Sequence, residues 1–377
     1  MNDVKVVLGE ERIISFAPPD VHEWGPWQFP TLDRDRQGRL YLSFHQDQDH
    51  LSGYGSEPCR YLSDDNGITW QPTKQIGGLI IDDSTMVRPA TVKALDVNSI
   101  TLPEAVTACK YCYVKDVLLY DMDEVDPAYK KWYRWISQNS SAKLEEIKVN
   151  APGYLMRMSN ELFIQPFFYA PYFYRKNENT IMAVSYHPLR RNGHTGTYFD
   201  ALYFESTDDA RSFNLISSIA FLPPYGQIPD SMNCQGFLEP SLCFTDENTA
   251  FTLLRTTCVK GISPMFISWS HDGCKTWSQP EYFDEHGVFP QCMKLDNGVV
   301  LAGYGRPGLY IRAMHNNCWT EKKVLVSPGE LTKDTCSYCG IAPIGKNKAV
   351  VVYSRFDVKD ELGRVRKAML VRDITIE

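Results

Sequence analysis

No stretch of the 377-residue chain approaches eighteen consecutive apolar residues, so no membrane-spanning helix is expected. The N-terminus Met1-Asn2-Asp3-Val4-Lys5 lacks the charged segment and apolar core of a secretory leader, which makes the cytoplasm the expected location. Positive charge is in short supply. Lys and Arg number 39 against 46 Asp and Glu, a formal net charge of −7, which argues against nucleic acid as a partner but leaves room for a local basic pocket. A disulfide framework is missing too: the 11 cysteines are odd in number and scattered, several inside apparent strands, as expected of reduced, buried thiols. Two C-x-x-C pairs occur, Cys109/Cys112 and Cys336/Cys339. Strand alternation sends residues i and i+3 to opposite faces, so neither a metal site nor a cofactor is expected.

What the chain does have is aromatic weight, 12% Phe, Trp and Tyr, which favours strands. It also has a repeated turn. Ser63-Asp64-Asp65-Asn66-Gly67-Ile68-Thr69-Trp70 fits S-x-D-x-G-x-T-W. Ser206-Thr207-Asp208-Asp209-Ala210-Arg211-Ser212-Phe213 keeps its serine, aspartate and an aromatic. Ser270-His271-Asp272-Gly273-Cys274-Lys275-Thr276-Trp277 keeps all but the glycine position, and Met314 to Trp319 reads as a worn fourth copy. The pattern predicts a β-turn between antiparallel strands: the aspartate accepts from turn N–H groups, glycine supplies φ > 0 and the tryptophan enters the core.

This turn is the Asp-box, and its recurrence resembles the BNR-repeat sialidase (neuraminidase) superfamily. The resemblance implies an all-β fold, a six-bladed β-propeller, spanning residues 1–377 as a single domain. The second and third copies start 64 residues apart, at 206 and 270, a blade-like separation. The first starts 143 residues before the second, so intervening blades lack the turn. In the family the turn is structural and lies away from the active site.

Taken in order, Val4 to Leu8 reads as a lead-in strand that Pro18 and Pro19 terminate, placed to close the ring against the last blade. Blade one has Trp27 to Leu32, Leu40 to Phe44 and the first turn repeat. Blade two starts near Val87. Within about 121–150, Asp126-Pro127 followed by Tyr129, Trp132, Tyr133 and Trp135 predicts a short helical insertion, with an Asp N-cap, Pro at the first position and aromatics at helical spacing. Blade three holds Gln165 to Tyr174 and Ile181 to His187, blade four Gly236 to Arg255, blade five Val288 to Arg306, and blade six Tyr338 to Ile376.

The resemblance also assigns a site. In the family a glutamate opens a blade and an arginine closes its second strand about sixteen positions later, as Glu239 and Arg255 do. A further arginine one blade on corresponds to Arg306, and a tyrosine about thirty positions later to Tyr338. The implied roles are Tyr338 as nucleophile, Glu239 as its base, Asp49 (or Asp47) as acid/base, and Arg255 with Arg306 holding a substrate carboxylate. A tyrosine nucleophile avoids repulsion with an anionic sugar. One departure stands out. The family's first arginine lies in a Phe/Tyr-Arg-Ile-Pro motif, but here the stretch is Trp27-Gln28-Phe29-Pro30, so Gln28 replaces it. Losing that charged contact weakens carboxylate binding by roughly 1.5–3 kcal/mol unless Arg88 completes the clamp.

Taken alone, each of these residues has a plain reading: Tyr338 is one of 21 tyrosines, Glu239 a rim carboxylate, and the arginines surface residues lying over the propeller face. Three functions follow. The first is a hydrolase, a retaining exo-glycosidase (sialidase-like) acting on a terminal acidic sugar of a glycan. The second is a lyase on a uronic acid, with His45 or His50 as base. The third is a non-catalytic carbohydrate-binding propeller.

Overall fold

A computed structural model describes residues 4–110, 116–138, 141–169, 171–191, 194–228, 231–257, 263–330 and 333–377. Among these, regular helix is confined to 3-10 turns at Leu51–Gly53, Val97–Ser99 and Ser231–Asn233, and no helix is long and apolar enough to cross a membrane. The rest is antiparallel sheet arranged as a six-bladed β-propeller.

Blade one comprises Thr31–Arg34, Leu40–Phe44, Cys59–Ser63 and Gln71–Pro72. Blade two is Leu79–Ile80, Thr85–Ala90, Trp132–Gln138 and Ser141–Asn150; blade three is Tyr174–Asn177, Thr180–His187, Asp200–Ser206 and Ser212–Ile219. These two fuse into one eight-stranded sheet because Ser141–Asn150 pairs in parallel with Ser212–Ile219. Blade four is Leu238–Phe244, Ala250–Arg255, Met265–Ser270 and Glu281–Asp284. Blade five runs from Val288–Lys294 through Val300–Gly305 and Leu309–His315 to Cys318–Trp319, with Lys323–Val326 alongside. Blade six is Cys339–Gly345, Lys348–Lys359 and Val365–Ile376, completed by Val6–Phe16 from the start of the chain. Val6 stands opposite Ile376 and Phe16 opposite Ala368, so the lead-in strand closes the ring as expected and is longer than the sequence suggested.

Apolar cores form between neighbouring blades. Leu32, Leu40 and Leu42 of blade one interlock with Val350, Val352 and Val371 of blade six, and Leu301 and Ile311 of blade five with Val351 and Leu370 on blade six's other face. The first strand of each blade lies against its neighbour near the axis. The Cys292 N–H donates to Ser241 Oγ at 3.1 Å, and a Cβ on Gly340 would lie 2.7 Å from the Leu32 nitrogen, so only glycine permits that approach.

The repeated turn forms three times with one geometry. Asp65 Oδ1 accepts from the Ile68 and Thr69 N–H groups at 3.1 and 2.9 Å, while Oδ2 accepts from Thr69 Oγ1 at 2.6 Å. Asp208 and Asp272 repeat the pattern on Arg211 and Ser212 and on Lys275 and Thr276. The glycine is dispensable: Ala210 at φ 62° and Cys274 at φ 71° take the left-handed conformation that Gly67 takes in the first copy. The fourth copy is different. Asn316 and Asn317, both at positive φ, make a two-residue hairpin pairing His315 with Cys318.

Two regions depart from expectation. The helical insertion is a β-hairpin, Trp132–Gln138 against Ser141–Asn150. Asp126 does cap a turn, accepting from the Ala128 N–H at 2.8 Å, but the turn is not propagated. Trp132 and Arg134 are buried on one face with Tyr133 and Trp135 half-buried on the other, a strand alternation that docking against Thr85–Ala90 selects over helical propensity. A five-stranded sheet of Leu95–Asp96, Leu162–Ile164, Leu155–Ser159, Val117–Asp121 and Thr107–Cys109 was not anticipated. Cys243, Cys274, Cys336 and Cys339 carry buried free thiols. Cys112, of the first C-x-x-C pair, lies outside the described residues, as does Cys258.

The turn carboxylates carry a pH dependence. Slight burial opposes ionisation of Asp65, but hydrogen bonds from Thr69, Ser63 and Ile68 win and hold it at about 2, below the ordinary 3.8. Its contribution to stability is complete above about pH 4 and lost as pH falls toward 2. Asp65→Asn is expected to cost on the order of 1 kcal/mol at pH 7 and to flatten the acid limb, measured as urea midpoints across that range. Equal midpoints at neutral pH would mean that the turn closes without the charge.

Candidate active site

Glu239 stands at the entry to blade four, followed by Pro240 and held at φ 46°. The register slips between Leu238 and Ser241, and this bulge aims the carboxylate inward rather than along the sheet. Blade five repeats the device, with Phe289 at φ 46° before Pro290 and a slip between Val288 and Gln291. The bulge frees the Phe289 N–H, and Glu239 Oε2 accepts from it at 2.7 Å. The other oxygen, Oε1, accepts from Arg255 Nη1 at 2.5 Å, Tyr338 Oη at 2.5 Å and Tyr169 Oη at 3.1 Å. Four donors thus converge on one buried carboxylate.

Blades four, five and six thereby bring Glu239, Arg255, Arg306 and Tyr338 to one cavity of about 660 Å³ on the propeller face. Tyr338 is clasped between aromatic rings, Phe289 stacked at 4.0 Å and Phe29 edge-on at 4.7 Å. Arg306 donates to the Cys336 carbonyl at 2.9 Å and lies over the Trp24 ring at 5.5 Å. Among the described residues it has no carboxylate partner and its Nε is buried without a hydrogen bond, so this partly buried guanidinium is available to an anion.

The electrostatics follow from this packing. Burial opposes the charge on Glu239, yet Arg255 and the hydrogen bonds from Arg255, Tyr338 and the Phe289 amide hold its carboxyl below the usual range. Burial and the adjacent Glu239 charge push Tyr338 well above an ordinary phenol, against Arg255 and Arg306. The resting pair is therefore a neutral phenol donating to a carboxylate.

The loop after blade one's second strand supplies His45, Asp47, Asp49 and His50, all of which line the cavity. Asp49 Oδ2 accepts from Trp24 Nε1 at 3.1 Å, and Gly25, at φ 122°, lets the loop pass so close that a Cβ would sit 2.6 Å from the Asp47 carbonyl. His45 packs edge-on to Phe29 at 4.8 Å, and burial pushes its imidazole down against the pull of Asp49 and Asp47. The His50 ring is taken up in its own turn, with Nδ1 accepting from the Ser52 N–H and lying 3.0 Å from Ser52 Oγ.

Two residues expected to bind substrate are placed otherwise. Gln28 is fully buried, its amide has no partner among the described residues, and it does not line the cavity. Positive φ at Trp27 and Phe29 turns the chain so that Phe29 faces the ligand space instead. Arg88 does line the cavity but is held by Asp33 at 3.4 Å, Ser43 at 3.3 Å and Thr31 at 3.3 Å. Neither residue therefore offers an unpaired cation to the cavity. Trp24, Phe29, Tyr169 and Phe289 join the site unannounced. Two of them precede prolines at blade entries, as Glu239 does, and that shared x-Pro position was the available signal.

No protein-family model matches the chain, and no curated protein matches it in sequence. Its fold is similar to solved structures at low identity. A protein of unknown function from Dyadobacter fermentans superposes with a TM-score of 0.67 at 15% identity over 99% of both chains. A NanB sialidase variant from Streptococcus pneumoniae gives 0.56 at 13% identity, over 96% of this chain and 70% of that one. A Trypanosoma rangeli sialidase gives 0.51 at 11%, over 93% and 55%. These likenesses establish the propeller fold that sialidases share.

Removing one partner of the buried pair measures how the site is held. Glu239→Ala strands Arg255 and is expected to cost about 3–5 kcal/mol, whereas Tyr338→Phe deletes one hydrogen bond and costs about 1 kcal/mol. Urea unfolding of both variants checks this. Similar losses would mean that the carboxylate is not the centre of the network.

Proposed function

We propose that the protein is a retaining exo-glycosidase acting on a terminal acidic sugar, a sialic acid or a uronic acid. The observation that carries this is the 2.5 Å hydrogen bond from Tyr338 to a buried, ionised Glu239, beside the carboxylate-free Arg306. In the first half-reaction Tyr338 Oη attacks the anomeric carbon while Glu239 accepts the phenolic proton, and the bond to the leaving-group oxygen breaks. Asp49 protonates that oxygen. In the second half, Asp49 takes a proton from water, water displaces the tyrosine, and the proton on Glu239 returns to Tyr338, restoring the resting state with retained configuration. Arg306, with Arg255, holds the sugar carboxylate. Asp49 is preferred to Asp47 because the Trp24 indole fixes its carboxylate.

A panel of aryl glycosides of sialic acid, deaminated sialic acid, uronic acids and neutral sugars tests the reading. Release from an acidic member alone is the expected result, and release from none removes the proposal. Tyr338→Phe is expected to abolish turnover with binding largely retained. Asp49→Asn is expected to lose about 10²–10⁴-fold on glycosides with poor leaving groups and much less on activated aryl glycosides. Trp24→Phe moves the same way by a smaller factor. Loss independent of the leaving group would place the acid elsewhere.

A second reading rests on His45, which opens to the cavity with its pKa pushed down and so is neutral at pH 7, as a proton-abstracting base requires. The lyase it would serve leaves an unsaturated sugar that absorbs in the near ultraviolet. Products lacking that absorbance rule this reading out.

A further inference from the structure

The innermost strands run from the candidate active site to a second cavity. On blade one Thr31 lines the first cavity and Arg34 the second; on blade five Phe289 and then Met293 do so, and on blade six Tyr338 and then Pro343. The second space measures about 980 Å³ and shares no lining residue with the first. Between the two stands the Arg88–Asp33 pair, with Arg88 on the side of the active site and Asp33 on the other. The far mouth of the ring is thus a separate place on the molecule, which the proposed chemistry does not use. Its charges do not cancel. Asp33 is taken by Arg88 at 3.4 Å, and Asp35 accepts from Arg39 Nε at 2.7 Å and from Tyr41 Oη at 3.0 Å. Arg36 pairs with the exposed Asp83. Two guanidinium groups are left over. The Arg34 side chain makes no hydrogen bond or ion pair among the described residues, and its Nε is buried. Arg175 donates only to carbonyls, to Ile80 at 2.5 Å and to Glu178 at 3.1 Å. Burial and the nearby Arg36 charge push Arg175 below an ordinary guanidinium, against the pull of Asp209. The lining carboxylate that remains without a cation is that of Glu178, which is exposed at the rim. In a chain of net charge −7, a mouth with two cations to spare is a local exception.

We propose that this far mouth binds a phosphate group carried on a small organic molecule. A phosphate monoester presents close to two negative charges and three acceptor oxygens at neutral pH, enough to engage arginines from blade one and blade three together, where a carboxylate brings one charge. The space is that of a small-molecule pocket rather than of a bare ion. Leu32, Ile80, Tyr172 and Met293 line the part the arginines do not, an apolar and aromatic surface suited to the body of an ester. Tyr172 adds a donor. Its Oη accepts from the Leu32 N–H at 3.0 Å, which leaves the hydroxyl proton to give.

Titration calorimetry on the full chain tests this with two esters, AMP and phenyl phosphate, against inorganic phosphate and each ester's parent alcohol. At least one ester is expected to bind, about tenfold or more tighter than inorganic phosphate and than its own parent. Arg34→Gln and Arg175→Gln are each expected to weaken that ester about tenfold or more. Arg34 holds nothing else in place, so Arg34→Gln is expected to keep the wild-type thermal midpoint, and it decides the matter alone if Arg175→Gln does not fold. Arg306→Gln, which alters the other cavity, is expected to leave the affinity unchanged. No binding by either ester, or inorganic phosphate or the parent alcohol binding as tightly as the ester, overturns the proposal. So does an affinity that Arg34→Gln leaves unchanged, or one that Arg306→Gln abolishes, since the ester would then sit in the central cavity.

Discussion

The site depends on one buried carboxylate. Glu239 accepts from a guanidinium, two phenols and a backbone amide, and those donors come from four separate blade segments. Burying a charge is costly unless it is paired, so removing the carboxylate strands its donors at a cost of several kcal/mol, whereas losing one neutral donor costs about 1 kcal/mol. The same contacts that satisfy the charge also stitch blade three to blade four, four to five, and four to six across the axis. Fold stability and the geometry of the candidate site are here one network, which accounts for a strained, positive-φ residue before proline at a blade entry.

Legibility in the sequence followed the range of the interactions. The turn repeats were readable because each closes within a few residues, aspartate to the N–H groups three and four positions on. The quartet was readable only because its spacing resembles a known family; composition alone gives no reason to choose Tyr338 among 21 tyrosines. The 121–150 segment failed for the opposite reason. Asp126 starts a turn that local rules extend into a helix, while pairing with Thr85–Ala90 and Ser212–Ile219 decides for strand. Trp24 and Tyr169 were missed because what makes them functional is a partner far along the chain, Asp49 in one case and Glu239 in the other.

The Gln28-Phe29 step governs which side chains reach the cavity. With Gln28 walled off and Arg88 committed to Asp33, the cations left facing it with charge to spare are Arg306 and the part of Arg255 not spent on Glu239. In exchange, Phe29 narrows the space around Tyr338 and adds a second aromatic face to the one Phe289 provides. Two bracketing rings restrict Tyr338 to rotamers that keep its hydroxyl on Glu239, so that hydroxyl is held in place by packing as well as by its hydrogen bond.

Blades one and two contribute aromatic side chains to the same cavity. The loop through Tyr54 can lie on blade two because Gly55 tolerates the close approach, and Trp135 faces the cavity because its hairpin pairs edge to edge with the strand carrying Arg88. Neither side chain belongs to the apolar cores of blades one and two, to which the same hairpin contributes Trp132 and Ile147 instead. Tyr54 and Trp135 are thus side chains turned to the cavity rather than spent on packing between blades, and with Phe29 and Phe289 they make its lining strongly aromatic.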